Sequence, residues 1–417
     1  MRVQIEGSQA VAEAVARSRP EVIAAYPISP QTHIVERLSR MVAQGEAGPC
    51  QFLNVESEFA ALSALIGASA AGARTYTATT SQGLLFMAEA VYNAAGLGLP
   101  IVMTIANRAV GAPISIWNDH SDSMALRDAG WIQLYAETNQ EAVDLHIQAF
   151  RLAEELSCPV MVCMDGYILT HAYEAVDLPD RGLIDRFLPP FSPIQVLDPA
   201  EPISIGAMVG PEAFMEVKYL SHRQHLRALT LIPKIAEAFQ QQFQRFSGGL
   251  CSSYRMEDAD LAVIALGSVI GTIKDAVDEL RHEGVAAGCV KIGCYRPFPM
   301  EQLRAALEGV RRVVVVEKDL AVGMGGIVSA DVHMALQGLP IPVHTVIAGL
   351  GGRSIPKASL KQMVHDVRAE RLSEPYFLDL DIATVDKELA RREERRQAGP
   401  VAEHLLRVVP PIGTKVV

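Results

Sequence analysis

The sequence lacks any C-x-x-C pair. Its six cysteines are Cys50, Cys158, Cys163, Cys251, Cys289 and Cys294, several of them inside apolar strand-like runs such as residues 159–164. They read as buried, reduced thiols of a cytosolic protein, so any iron–sulfur cluster serving its chemistry must be carried by another chain. A basic excess is also missing. Lys and Arg number 37 against 48 Asp and Glu, a net charge of -11, which leaves no field to hold a polyanion and excludes nucleic acid as the expected partner. No stretch approaches the ~20 apolar residues of a membrane-spanning helix. The amino terminus, MRVQIEGSQAVAEAVARSRPE, has no basic start followed by a long apolar core. A cytoplasmic protein with no membrane partner is expected. Neither G-x-G-x-x-G nor G-x-x-x-x-G-K-[ST] occurs; the glycines of GSVIG (residues 267–271) and GMGG (residues 323–326) suffice for tight strand–helix turns.

What is present is alternation. Short β-rich apolar runs at residues 22–26, 52–55, 74–78, 101–106, 131–136 and 159–164 are separated by Ala-rich helical patterns. That order predicts a doubly wound, mainly parallel sheet with helices on both faces. A second series begins at Asp260 with DLAVIAL, GVAAGCVKI, RRVVVVEK and IPVHTVI. At 417 residues the chain exceeds one ordinary core. The expected division is a first α/β domain over residues 1–172, a linker with helices packed on it over 173–258, a second α/β domain over 259–370, and a carboxyl-terminal helix with an extended arm over 371–417.

In open parallel sheets ligands gather beyond the carboxyl ends of strands, and four such places are unusual here. YPISPQT (residues 26–32) presents Ser29 between two prolines, suited to a ligand carboxylate or to a helix-starting turn. Glu56 and Glu58 open a helix built almost wholly of small residues; such acids commonly serve the helix dipole, but the small-residue face lets a partner approach and bury them. TTSQG (residues 79–83) reads as a helix entry. Arg108, directly after a buried strand, needs an anion, either a substrate carboxylate or an internal salt-bridge partner. Asp119, His120 and Asp122 cluster in the following loop, but no further ligand set is apparent, and no metal site is expected.

Taken in order, the blocks YPISPQTHI, NVESEFAALSALIGASAAGARTYTATTSQGLLFM, LPIVMTIANRAVGAP, SIWNDHSDSM, GWIQLYAE, PVMVCMDGYILTH, SIGAMVGPEAF, YRMEDADLAVIALGS and YRPFP resemble the α subunits of pyruvate:ferredoxin oxidoreductase and related 2-oxoacid:acceptor oxidoreductases. The resemblance runs to about residue 370. Within the family, YNAAGLGLPIVM and IWNDHSDSM look most like the phenylglyoxylate:NAD⁺ oxidoreductase α subunit.

The resemblance implies a thiamine-diphosphate pyrimidine-side domain followed by a domain like the carboxyl-terminal domain of transketolase. It implies oxidative decarboxylation of a 2-oxoacid, phenylglyoxylate first and pyruvate next, to an acyl-CoA and CO₂, with electrons passing to ferredoxin or NAD. By the same likeness Glu58 bonds N1′ of the aminopyrimidine, Ser29 and Arg108 hold the substrate carboxylate, and Pro27, Ile28 and Gln82 line the cofactor. Phe59, where relatives often carry a smaller residue, is a departure. The G-D-G motif that holds Mg²⁺ and diphosphate is absent, Asp165-Gly166 being the nearest approach. A β subunit must then supply that half of the site. Partner subunits γ and δ, [4Fe-4S] clusters in those partners and a flavoprotein subunit with FAD that reduces NAD are also implied. The alternatives are a transketolase-like or lipoamide-linked dehydrogenase component, and a structural subunit without catalytic residues.

Overall fold

The computed structural model describes residues 2–202 and 204–394. Seven strands form the first sheet, in spatial order Cys294–Arg296, Ile132–Tyr135, Val160–Asp165, Ile101–Asn107, Thr75–Thr79, Val22–Ala25 and Gln51–Asn54. All but the first run parallel. The three central strands, Thr75–Thr79, Ile101–Asn107 and Val160–Asp165, are buried on both faces, which is why they read as unbroken apolar or Thr-rich runs rather than as alternating ones.

From Val22–Ala25 the chain moves outward to the edge strand Gln51–Asn54, then crosses back to Thr75–Thr79 on the other side. The direction of winding therefore reverses between Val22–Ala25 and Thr75–Thr79, and a crevice opens beyond their carboxyl ends. Helices Gly7–Arg17, Thr32–Ala43 and Asn139–Leu156 cover one face through Ala14, Ile34, Leu38 and Phe150. Helices Glu58–Ala70 and Ala88–Gly96 cover the other through Leu62, Leu65 and Val91.

The second sheet has the order Tyr376–Phe377, Val343–Ile347, Arg312–Glu317, Leu261–Ala265, Ala287–Ile292 and Cys251–Tyr254, parallel apart from the last. Its inner face shares one apolar cluster with the first sheet: Ile264, Val290 and Val315 pack with Ile101, Met103, Trp131, Tyr135 and Tyr295. The strand Cys294–Arg296, although it follows the second sheet's Ala287–Ile292, pairs antiparallel with Ile132–Tyr135 of the first.

Like that one, two further pairings were not foreseen. The amino-terminal Arg2–Glu6 pairs antiparallel with Tyr173–Asp177 across some 170 residues of chain, and Cys251–Tyr254 forms an edge of the second sheet before the expected start of that series. Within the expected linker a long helix spans Phe214–Phe243 and lays Ala228, Ile232, Ile235 and Phe239 on the first core. Phe239 stacks on Phe243 at 4.2 Å and meets Phe187 edge-on at 5.5 Å. Full burial of each such ring stabilises by ~1.5–3 kcal/mol. A helix spans Ile382–Glu394; the extended arm expected beyond it lies outside the described residues. No described helix is long and apolar enough to cross a membrane.

Candidate functional site

Four chain segments meet in the crevice at the switch point. After Asn54 the chain turns at Ser57, whose backbone is extended and whose hydroxyl accepts the Ala60 N–H at 3.1 Å. That cap starts the helix at Glu58 and turns its side chain inward: Glu58 is buried while Glu56 is exposed. The Glu58 carboxylate lies over Gly83, where a Cβ would come within 2.5 Å of Oε1. Any side chain at 83 would push the carboxylate and the Thr79 hydroxyl aside. The carboxylate makes no hydrogen bond or ion pair among the described residues, and the nearby Thr79 hydroxyl is buried without a partner. A buried acid with free acceptor capacity beside an orphaned hydroxyl fits a polar heterocycle such as an aminopyrimidine.

Thr79 leads through Thr80 into Ser81, a non-glycine residue in the left-handed region at φ 49°. Such a conformation costs about 1–3 kcal/mol and persists only where the surroundings fix it. Here Asp122 accepts the Ser81 N–H at 2.9 Å, and the Ala109 carbonyl accepts its hydroxyl at 2.5 Å. Asp122 is fully buried and accepts three further donors: the Arg108 backbone N–H at 3.0 Å, Asn107 Nδ2 at 2.8 Å and the Ser123 N–H at 2.8 Å. Burial raises its pKa, opposed by these donors.

Arg108 is buried, and its guanidinium meets uncharged acceptors. Nε donates to the Ser115 carbonyl at 3.0 Å, Nη1 to the Ser29 carbonyl at 2.7 Å and Nη2 to Gln82 Oε1 at 3.4 Å. No carboxylate lies within ion-pair distance among the described residues, so the internal salt bridge left open by the sequence is not made there. The arginine ties the Ser29 turn, the Gln82 turn and the loop that carries Ile114 and Trp117 into one rim. Gln82 Oε1 also lies against the Ser81 hydroxyl.

Ser29 is exposed at that rim, with Pro27 exposed and Ile28 half-buried beside it. Gln31 does not cap the following helix; its amide donates to the Tyr26 and Ala78 carbonyls at 2.7 and 3.2 Å and binds the turn to the sheet. Phe59 is half-exposed, with Phe86 6.4 Å from it.

The Asp119, His120 and Asp122 cluster separates into different roles. Asp119 accepts from Ser121 and from the Gly351 N–H at 3.0 Å, whereas His120 pairs with Asp165 at 2.7 Å. Asp165 is fully committed as well, to His120, to Lys318 at 3.1 Å and to Ser268. Burial pushes its pKa up, but Lys318 and His120 outweigh that and hold it well below the usual carboxylate range. Asp165-Gly166 therefore joins the two sheets and is not free to hold a diphosphate. At the GMGG turn the anion is the chain's own. Glu317 accepts the N–H groups of Ile327, Val328 and Ser329 at 2.7, 2.7 and 3.2 Å. The cysteines are all free, and among the described residues none joins a ligand group.

A cleft of about 910 Å³ lies beside the amino ends of Ile101–Asn107 and Ile132–Tyr135, lined by Gly96, Gly130 and His225 among others. Its Arg296 is satisfied by Asp128 and Asp331, and the chemistry described above is at the other pole.

Residues 13–237 match the model of the pyruvate flavodoxin/ferredoxin oxidoreductase thiamine-diphosphate-binding family, and residues 259–360 match that of pyruvate:ferredoxin oxidoreductase core domain II. The chain belongs to the pyruvate:ferredoxin oxidoreductase family. Pyruvate synthase subunit PorA of Methanosarcina barkeri is 47% identical over 387 residues, covering 91% of this chain and 96% of the relative. Ketoisovalerate oxidoreductase subunit VorA of Pyrococcus horikoshii is 40% identical, covering 87% and 93%.

Among solved structures, the 2-oxoglutarate:ferredoxin oxidoreductase of Magnetococcus marinus superposes with a TM-score of 0.66 at 20% identity, over 89% of this chain and 65% of that one. A split-gene transketolase does so at 0.53 and 15%, over 89% and 100%. These two likenesses concern the fold, and they agree with the expected succession of a thiamine-enzyme domain and a transketolase-like domain. The chain is thus an α-type subunit of a thiamine-dependent 2-oxoacid oxidoreductase.

Sequence reading missed the part played by Asp122. Its donors come from three separate segments, and only the SIWNDHSDSM block hinted that the loop mattered.

Proposed function

We propose that this subunit supplies the aminopyrimidine and substrate-carboxylate half of a site completed by a β subunit, and that the complex oxidatively decarboxylates a small aliphatic 2-oxoacid, pyruvate first. The observation that carries the reading is Glu58, a buried carboxylate with no partner among the described residues, held over Gly83 at the switch-point crevice. Bound thiamine diphosphate supplies the nucleophilic carbon and the electron sink of such a decarboxylation. The chain's own part is to bind and orient. Glu58 shares or donates a proton at N1′ of the aminopyrimidine. Gln82, Pro27 and Ile28 border the ring. Arg108 is braced on three segments by uncharged acceptors, so it keeps its charge free for the substrate carboxylate, with the exposed Ser29 hydroxyl as a second donor.

Support for a shared site comes from what the chain lacks and what it exposes. Asp165 is spent on Lys318 and His120, leaving no G-D-G-like group for Mg²⁺ and diphosphate. Leu53, Phe59 and Phe86, all in the segments that carry Glu58 and Gly83, are exposed apolar side chains that a β subunit would cover. Iron–sulfur clusters belong on this reading to further subunits of the γ and δ type. The pyruvate assignment rests on the names of the relatives. The phenylglyoxylate and NAD expectations, with their flavoprotein partner, find no support in them.

The test is coenzyme-A-dependent dye reduction by the assembled complex over a panel of 2-oxoacids. Pyruvate should show the highest kcat/KM, ahead of ketoisovalerate and phenylglyoxylate. Preference for phenylglyoxylate would overturn the substrate reading, and turnover of none would overturn the function.

A further inference from the structure

Behind the Ser29 turn, three side chains from distant parts of the chain converge without a role in the chemistry above. Glu6 ends the strand Arg2–Glu6, His33 stands in the first turn of the helix Thr32–Ala43, and His171 lies in the loop that follows Val160–Asp165. One ligand atom from each lies within 4.8 Å of the other two. Glu6 Oε1 and His33 Nδ1 are 2.6 Å apart. The two imidazoles face each other with ring centroids 4.7 Å apart, and Tyr167 stands against His171 at 4.6 Å, limiting its ring orientation. His171 Nδ1 also lies 2.8 Å from the Thr170 hydroxyl, the second contact that typically orients a metal-binding histidine.

A Glu–His ion pair explains only part of this. It does not explain a second imidazole placed against the first, since two such groups repel when both are protonated.

We propose that Glu6, His33 and His171 form a three-ligand site for a divalent transition cation of the Zn²⁺ or Co²⁺ class. Two imidazoles and a carboxylate are the ligand set such ions take, whereas Mg²⁺ and Ca²⁺ prefer all-oxygen cages. Bonds of ~2.1 Å to a common tetrahedral ion place ligand atoms ~3.4 Å apart, so closure needs about an ångström of side-chain movement. His33, with 43% of its side chain exposed, is free to make it and leaves the outer coordination positions open to water. The bound ion clips the amino-terminal strand and the His171 loop to the helix that leaves the Ser29 turn.

The experiment is titration of the untagged, chelator-treated full chain with Co²⁺, followed by visible absorption, with thermal unfolding in parallel. One equivalent should bind with an N/O-ligand spectrum free of a thiolate charge-transfer band, and the unfolding midpoint should rise with Co²⁺ or Zn²⁺. His33→Gln and His171→Gln should each weaken binding by at least about tenfold, and the H33Q/H171Q variant should lose both the spectrum and the metal-dependent rise. Both histidines are only partly buried, so the metal-free variants should keep the wild-type midpoint. Absence of stoichiometric uptake by the wild type, equal uptake by the double variant, or a thiolate spectrum would each overturn the proposal.

Discussion

Arg108 uses three of its N–H groups on the carbonyls of Ser29 and Ser115 and on Gln82. It meets no carboxylate among the described residues, and a buried guanidinium in that state is poised for an external anion. Lysine could carry the charge but not the planar fork that braces three segments while binding a fourth partner. Arg108→Lys should therefore lower kcat/KM of the assembled complex by one to two decades, about 1.5–3 kcal/mol for one lost charge-assisted contact. An unchanged kcat/KM would reduce Arg108 to a structural brace. Its need for an anion was legible from its place directly after a buried strand. Asp122 was not legible, because the donors it gathers, from Ser81, Asn107, Arg108 and Ser123, meet only when the loops fold together.

At the scale of elements, buried helix contacts set part of the pH response. His146 on the helix Asn139–Leu156 is fully buried, with Nδ1 2.6 Å from the Ala142 carbonyl and Nε2 2.5 Å from the Thr104 hydroxyl. The carbonyl can only accept, so Nδ1 carries the proton and Nε2 accepts from Thr104. Burial lowers its pKa from 6.5 to about 4. The unfolded chain thus binds a proton that the folded chain refuses. The stability from this group is complete above pH 6.5 and is lost as pH falls toward 4. The loss amounts to ~3 kcal/mol. His146→Gln should flatten that part of the denaturation-midpoint profile relative to wild type; parallel profiles would contradict the assignment. The inner strands of both sheets were legible from apolar runs, whereas the edge strands Cys251–Tyr254 and Tyr376–Phe377 of the second were not. The Arg2–Glu6 and Tyr173–Asp177 pair and the three-residue Cys294–Arg296 strand were not, since short segments pairing with distant partners leave no periodic signal.

Across the whole molecule the two sheets are joined by a shared apolar cluster and by buried polar contacts, among them a junction around Lys318. In that junction Lys318 contacts Asp165 and Asn118, and Asp165 also pairs with His120. Removing one partner of a buried pair leaves the other charge uncompensated, at a cost of about 3–5 kcal/mol. Lys318→Met should therefore lower the chemical-denaturation midpoint of the chain sharply, whereas a shift within ~0.5 kcal/mol, the range of ordinary surface substitutions, would place the junction outside the stability of the fold. The division into successive α/β units could be anticipated from the two alternating series. The sharing of a strand and a core between them could not, because nothing in Cys294–Arg296 itself says which sheet it will join.

The central claim is that this subunit contributes a cofactor-activating acid to a site completed by another chain. It is tested most directly by 2-oxoacid-dependent dye reduction with complexes assembled from Glu58→Gln and Glu56→Gln subunits. Glutamine at 58 can still occupy the space over Gly83 but cannot give up and recover a proton. The account predicts intact assembly and iron content in both, turnover lowered by several decades for Glu58→Gln, and little change for the exposed Glu56. Near-normal turnover with glutamine at 58 would contradict it and leave this chain a structural subunit.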